Sequence, residues 1–380
     1  MINDVPLAES PTSMGSLFQA AGYDTGYIGK WHVHGHGRMA FVPPAHRQGF
    51  EYWSANECSH DYWNSGYYHA DSPQMQTWPG YDAAAQTDEA LKFLRHRDRT
   101  NPFFLVLSWG PPHDPYDTAP EKFRQQMAET ELTLRPNVPL ELAEEATRDL
   151  KGYYAHVLAL DELFGRLLNE ITAMGLEEET LIVFWSDHGD MLYSQGNTHK
   201  QKPWDESIRV PLLLRWPGHI RPEARLEMIN TPDILPTLLG LCGLPSPESI
   251  DGDDYSPNLT GGKGPLGESA LLASYHPFGE YAETLGGREY RGIRTPNTTY
   301  VRDLHGPWLL YDNVSDPYQL SNLCNMPDSS SLQEEMERLL AQSLVATDDR
   351  FMPGSYYLEH FGYSVDETGT APVYNFPGTP

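Results

Sequence analysis

Four groups of polar side chains in this sequence stand beside apolar runs. Lys30 and His32 follow residues 23–28, His113 follows residues 103–109, and Asp187 with His188 follows residues 181–185. A fourth group, Asn197-Thr198-His199-Lys200-Gln201-Lys202, precedes the apolar run that opens at Val210. Together they offer a carboxylate suited to a metal ion, several imidazoles and two or three ammonium groups. Such a set can hold a tetrahedral oxyanion and deliver a proton to a leaving oxygen. Each residue alone has an ordinary reading. A histidine after a strand is commonly structural, Lys30 and Lys200 alone are solvated surface lysines, and Asp187 caps a helix or binds a metal. Glu57, His60 and Asp61, set among aromatics, either line a pocket or pack a loop. What argues for a site is that three of the clusters fall where a parallel α/β sheet places its ligands, beyond the carboxyl ends of its strands.

The elements that position these groups are legible in the periodicity. Met14, Leu17, Phe18 and Ala21 repeat at helical spacing after Pro11-Thr12, and Gly22 follows as a stop. Residues 82–94 and 140–174 read as helices by the same test, the second ended by Gly175. Residues 23–28 form a short strand; 103–109, 181–185 and 210–216 form continuous apolar ones; a short apolar helix follows at 234–242. Apolar strands alternating with helices predict an α/β fold, a mostly parallel sheet sandwiched by helices. Residues 40–80 are aromatic, Pro-rich and His-rich without a period, and read as a long ordered loop. After about Gly261 the segments shorten, and a last helix is expected near 332–344. The expected division is an α/β domain over residues 1–260 and a smaller α+β subdomain over 261–380.

Composition narrows the function. The 380 residues carry 26 Lys+Arg against 53 Asp+Glu, a net charge of −27. A chain that acidic repels a phosphate backbone, which excludes general nucleic-acid binding. It also repels an anionic substrate unless the site is locally basic, as Lys30, Lys200 and the histidines make it. Cys58, Cys242 and Cys324 are far apart and form no C-x-x-C, which argues against a disulfide framework and against a thiolate zinc site. The apolar runs are too short to span a bilayer, so no membrane role is expected.

The stretch Gly22-Tyr23-Asp24-Thr25-Gly26-Tyr27-Ile28-Gly29-Lys30-Trp31-His32 resembles the second sulfatase signature, G-Y-x-T-x-x-x-G-K-W-H. Ser186-Asp187-His188-Gly189-Asp190 is similar to the metal-binding turn of that family. The segment from Lys200 through Trp204-Asp205-Glu206-Ser207-Ile208-Arg209-Val210-Pro211 resembles its K-x-x-x-Y-E-x-x-x-R-V-P element, and Ser108 to Pro115 its substrate-histidine loop. Ile250-Asp251-Gly252, Trp308 to Asp312 and Asp316-Pro317 resemble its C-terminal subdomain. The resemblance implies an alkaline-phosphatase-like fold and hydrolysis of a sulfate monoester. It implies that Asp187 and His188 ligate a divalent cation, Ca²⁺ in the family, although an imidazole is an uncommon partner for that ion. By the same resemblance Lys30 and Lys200 neutralise the sulfate oxygens, His113 protonates the leaving alcohol, and His32 orients the nucleophile.

Two family elements have no counterpart in these 380 residues. One is an early strand with paired aspartates for the metal. The other is C/S-x-P-x-R, whose Cys or Ser becomes formylglycine, the nucleophile. Both are expected in a segment preceding the helix at which the sequence begins, and the chain as given is expected not to hydrolyse sulfate esters. The substrate expected is a carbohydrate sulfate, with Tyr52, Trp53, Tyr68 and Trp78 available to stack on sugar rings; an aryl sulfate or choline sulfate also fits. Two other readings stand beside this one. They are a phosphodiester or phosphonate hydrolase of the same superfamily, and an inactive relative that binds sulfated glycans.

Overall fold

Tyr27 and Ile28 are neighbours in one strand and pack into different cores, as the two-residue period of a strand requires. Tyr27 joins Val42, Phe50, Trp53 and Ala55; Ile28 joins Trp78, Ala85 and Ala90. The computed structural model describes residues 5–371. The chain divides into two compact units, residues 5–133 with 144–180, and residues 134–143 with 181–371.

The first unit opens with α1 (Met14–Ala20), capped by the Ser13 hydroxyl, which accepts from the Ser16 N–H. Strands β1 (Asp24–Lys30), β2 (Tyr52–Asn56), β3 (Gly66–His69) and β4 (Gln76–Thr77) follow, then α2 (Asp82–His96), β5 (Phe103–Ser108), α3 (Glu121–Ala128) and the long α4 (Ala143–Ala173). The sheet runs β4-β3-β2-β1-β5, with β1 parallel to both β2 and β5, and β3 and β4 antiparallel. The parallel core of three strands is the expected architecture. Residues 40–80 are a correction, because β2 lies inside the sheet beside β1 rather than in a loop. Its five residues include Ser54 and Asn56, both buried, so the strand shows neither alternation nor an apolar run. Ser54 is satisfied instead by His69 Nδ1 at 2.7 Å, a partner supplied by β3.

The second unit begins with β6 (Ile182–Trp185), α5 (Asp205–Ile208) and β7 (Leu212–Arg215), followed by α6 (Ile234–Leu241) and α7 (Ser256–Leu259). Strands β6 and β7 pair antiparallel as a two-stranded sheet, where alternating apolar strands had predicted parallel pairing. Their connection carries only the four residues of α5 as helix, so no crossover helix returns the chain to the start of β6. Beyond them stand β8 (Ala270–Ser274), β9 (Tyr290–Arg294), β10 (Thr298–Asp303) and β11 (Gly306–Asp312), an antiparallel sheet in the order β11-β10-β9-β8. Helix α8 (Ser330–Ala346) lays Met336 and Leu340 on its Ile293, Tyr300 and Leu310, and α9 (Gly354–Phe361) follows. These strands and α8 form a C-terminal α+β subdomain built on an antiparallel sheet. No helix of the described residues is long and apolar enough to cross a membrane.

Candidate active site

Lys30 ends β1 between two parallel neighbours, in register with Asn56 of β2, while Gly29 before it pairs with Ser108 of β5. Gly29 has φ +105°, and a Cβ there would run into the Ser108 carbonyl oxygen, so only glycine carries the chain to Lys30 along this path. The Tyr27 hydroxyl donates to the Lys30 carbonyl at 2.6 Å. Beyond it His32 is exposed and left-handed, with φ +54°. The buried Glu57 carboxylate accepts from the N–H groups of His34 and Gly35, at 2.9 and 3.1 Å, and so gathers the backbone just past His32. Glu57 is therefore a structural anchor for this segment.

The end of β5 delivers His113. Its Nδ1 lies 2.8 Å from Asp114 Oδ1. The buried Tyr62 hydroxyl meets the carbonyls of His113 and Asp114 at 2.7 and 3.1 Å. His60, on the same loop as Tyr62, sets its ring 4.5 Å from the His113 ring and its Nε2 3.5 Å from Cys58 Sγ. Burial, then the charges of His113 and Lys30, hold the His60 imidazole down to about 4, so it is neutral at pH 7. Behind the loop stands His156 of α4, fully buried, with Nδ1 2.8 Å from the Tyr81 hydroxyl and Nε2 3.4 Å from the Pro115 carbonyl. Gly152, one turn earlier, leaves room for the Tyr116 carbonyl that a Cβ would strike. Thus β1 and β5 bring an ammonium, two imidazoles and a carboxylate to one end of the first unit's sheet.

In the second unit, Ser186-Asp187-His188-Gly189-Asp190 forms the turn after β6. Gly189 donates to the Ser207 carbonyl at 2.9 Å, and its missing Cβ admits the Glu206 carbonyl. Asp187 Oδ2 and His188 Nε2 are 3.7 Å apart, and the Asp187 side chain is 77% exposed. His188 Nδ1 lies 2.7 Å from the Gly189 carbonyl, which places the proton of a neutral imidazole on Nδ1. One carboxylate oxygen and one imidazole nitrogen at this spacing fit a divalent cation. They would supply only part of a shell, since Ca²⁺ takes about 6–8 oxygens. Lys200 Nζ pairs with Glu280 Oε2 at 2.9 Å. The buried Lys202 ammonium donates to the Thr198 and Lys200 carbonyls at 2.9 and 3.1 Å, a bracing that sequence reasoning did not separate from Lys200.

The structure corrects one expectation about the aromatics. Trp53 and Trp78 are 1% and 3% exposed, Trp78 stacked on Tyr67 at 3.6 Å, so neither offers a face to a sugar. Trp63 is instead 44% exposed, with Nε1 donating to the Thr118 carbonyl at 2.8 Å. Asp114, Tyr62 and His156 are the parts that sequence reasoning left without a role. For Asp114 the signal was present, since it directly follows His113.

The first unit's mixed sheet, with Lys30 and the His113–Asp114 pair at one end, and the second unit's antiparallel sheet are those of an alkaline-phosphatase-like fold. The chain belongs to the sulfatase family: it matches the family Sulfatase over residues 1–244, and N-sulphoglucosamine sulphohydrolase, C-terminal, over residues 195–346. The ulvan-active sulfatase of Formosa agariphila is 40% identical over 367 residues, covering 95% of this chain and 71% of that protein. The endo-4-O-sulfatase of Bacteroides thetaiotaomicron is 28% identical, covering 90% of this chain and 75% of its own. A solved structure from work on glycosaminoglycan metabolism by Bacteroides thetaiotaomicron superposes with a TM-score of 0.83 at 27% identity, covering 92% of this chain and 80% of the other.

Proposed function

We propose that this sulfatase removes sulfate from a polysaccharide, with ulvan the first substrate to test. The observation that carries the reading is the His113–Asp114 pair, with its 2.8 Å contact, at the end of the sheet that also presents Lys30. Asp114 holds a proton on Nδ1 of His113, which turns Nε2 toward the leaving alcohol as the proton donor. Lys30 neutralises a sulfate oxygen, and its ammonium gains strength where water is displaced. By the family resemblance His32 would orient the nucleophile, Lys200 would meet a sulfate oxygen, and Asp187 with His188 would hold a divalent cation. When bound, a hard cation such as Ca²⁺ supplies positive charge for the sulfate oxygens. The substrate class follows the relatives named above, one ulvan-active and one an endo-4-O-sulfatase. The exposed Trp63 offers a stacking surface for a sugar ring.

Two measurements test this. Sulfate release from ulvan oligosaccharides is followed with the 380-residue chain and with protein that also carries whatever is encoded in frame upstream of Met1. The first is expected to be inactive, for want of a C/S-x-P-x-R nucleophile. The second is expected to release sulfate and to lose at least about 100-fold in kcat on His113→Ala, the range of a general acid. Release by the extended protein that survives His113→Ala overturns the reading. Calorimetric binding of a sulfated oligosaccharide to the 380-residue chain, undiminished by Lys30→Ala, overturns the role of Lys30.

A further inference from the structure

We infer that His60, His113 and Asp114 form a binding site for a transition-metal ion of the Zn²⁺ class, separate in its chemistry from the cation proposed at Asp187. One ligand atom from each of the three, an imidazole nitrogen or a carboxylate oxygen, lies within 4.8 Å of the other two. Two imidazoles and a carboxylate are the donor set of catalytic zinc centres, which leave a fourth position to water. Calcium and magnesium select differently, collecting oxygens and avoiding imidazole. Bonds of about 2.0–2.1 Å set tetrahedral ligand atoms about 3.3 Å apart, so the three need to close by at most about 1.5 Å. The His113 Nδ1 to Asp114 Oδ1 distance, 2.8 Å, is already short enough.

The ligands are held before any ion arrives. Tyr62 fixes the backbone of both His113 and Asp114. The His60 ring is set between the His113 ring at 4.5 Å and Cys58 Sγ at 3.5 Å from Nε2, an outer contact of the kind that orients a ligating imidazole. The side chains of His113 and Asp114 are 11% and 33% exposed, so an ion reaches them from solvent. An ion there occupies the imidazole and carboxylate that the proposed reaction needs, so binding at this site inhibits turnover. That consequence rests on the sulfatase reading of His113; the binding itself does not.

The test is a Zn²⁺ titration of the 380-residue protein in excess Ca²⁺, read by competition with a chromophoric chelator. Co²⁺ is then substituted to give a visible spectrum. The expected result is one Zn²⁺ per chain and the intense visible bands of four-coordinate Co²⁺, both retained in Asp187→Ala. His60→Ala and Asp114→Asn weaken binding by more than about 100-fold, beyond the cost of losing an outer partner. Melting curves matching the parent exclude misfolding as the cause, and the two variants check one another. Unchanged affinity in both variants, no binding by the parent, or loss of binding in Asp187→Ala overturns the site. None of these readouts needs turnover, so a failure of sulfate release leaves them standing.

Discussion

The Tyr62 hydroxyl meets the His113 carbonyl oxygen at 2.7 Å, so a side chain from the loop after β2 holds the His113 loop after β5. The same hydroxyl reaches the Asp114 carbonyl at 3.1 Å, and Tyr62 itself is 1% exposed. Removing it takes a donor from two part-buried carbonyls. Tyr62→Phe is expected to lower stability by about 1–3 kcal/mol. The check is a urea melt in which the midpoint falls at constant slope. Under the proposed role of His113 as proton donor, kcat of the active protein should fall more than KM rises.

Gly29 makes a sharper case. With φ +105° and the Ser108 carbonyl where a Cβ would sit, Gly29→Ala combines backbone strain with a clash inside the sheet. The expected cost is about 3 kcal/mol or more. Chemical denaturation reads it; a variant as stable as the parent would show that β1 bends without difficulty at this point.

The buried His156 predicts acid sensitivity. Its imidazole is held down to about 4, chiefly by burial, while the unfolded chain takes up the same proton near 6.5. Between those values the unfolded state binds more protons, so stability is full above pH 6.5 and is lost as pH falls toward 4. The contribution is on the order of 3 kcal/mol across the window. His34 and His60 are held low in the same direction and add to the slope. Urea melts at stepped pH should show the fall, and His156→Gln should flatten it by about one proton.

Asp82, at the start of α2, acts in the opposite sense. Burial raises its carboxyl to about 7, against the weaker opposing pull of Ser65 and the Ala83 N–H. The folded state keeps this proton up to about pH 7, whereas the unfolded chain releases it near 3.8, so stability declines as pH rises between them. Asp82→Asn is expected to stabilise the protein above pH 7 by up to about 4 kcal/mol, and to change little below pH 4. Paired melts at pH 8 and pH 4 check the difference.

These relationships also show how far the residues themselves could be read. Strands β1 and β5 were legible because their apolar runs stop at Gly29-Lys30 and Gly110, and the polar groups beyond them follow from strand direction alone. Strand β2 was not legible, because Ser54 and Asn56 are buried polar residues whose partners are supplied by the fold. The antiparallel pairing of β6 with β7 depends on the path of the chain through α5, which composition does not encode. Trp53 and Trp78 looked like sugar platforms because aromatic residues serve cores and ligands equally well; burial alone separates the two uses. Asp114 lacked a role for a different reason. Its place beside His113 was in the sequence, but its 2.8 Å contact with the imidazole depends on the turn that follows β5.

The bracing of the His113 loop has a consequence for how such a protein diversifies. Tyr62 and His156 grip the loop from its buried side, through backbone carbonyls at His113, Asp114 and Pro115. Contacts to carbonyls are indifferent to which side chains the loop carries outward. Exposed neighbours such as Trp63 can therefore be exchanged by mutation while the His113 backbone stays in place. Under the proposed function, substrate selectivity is then free to drift at the rim, on a chemical centre that stays still.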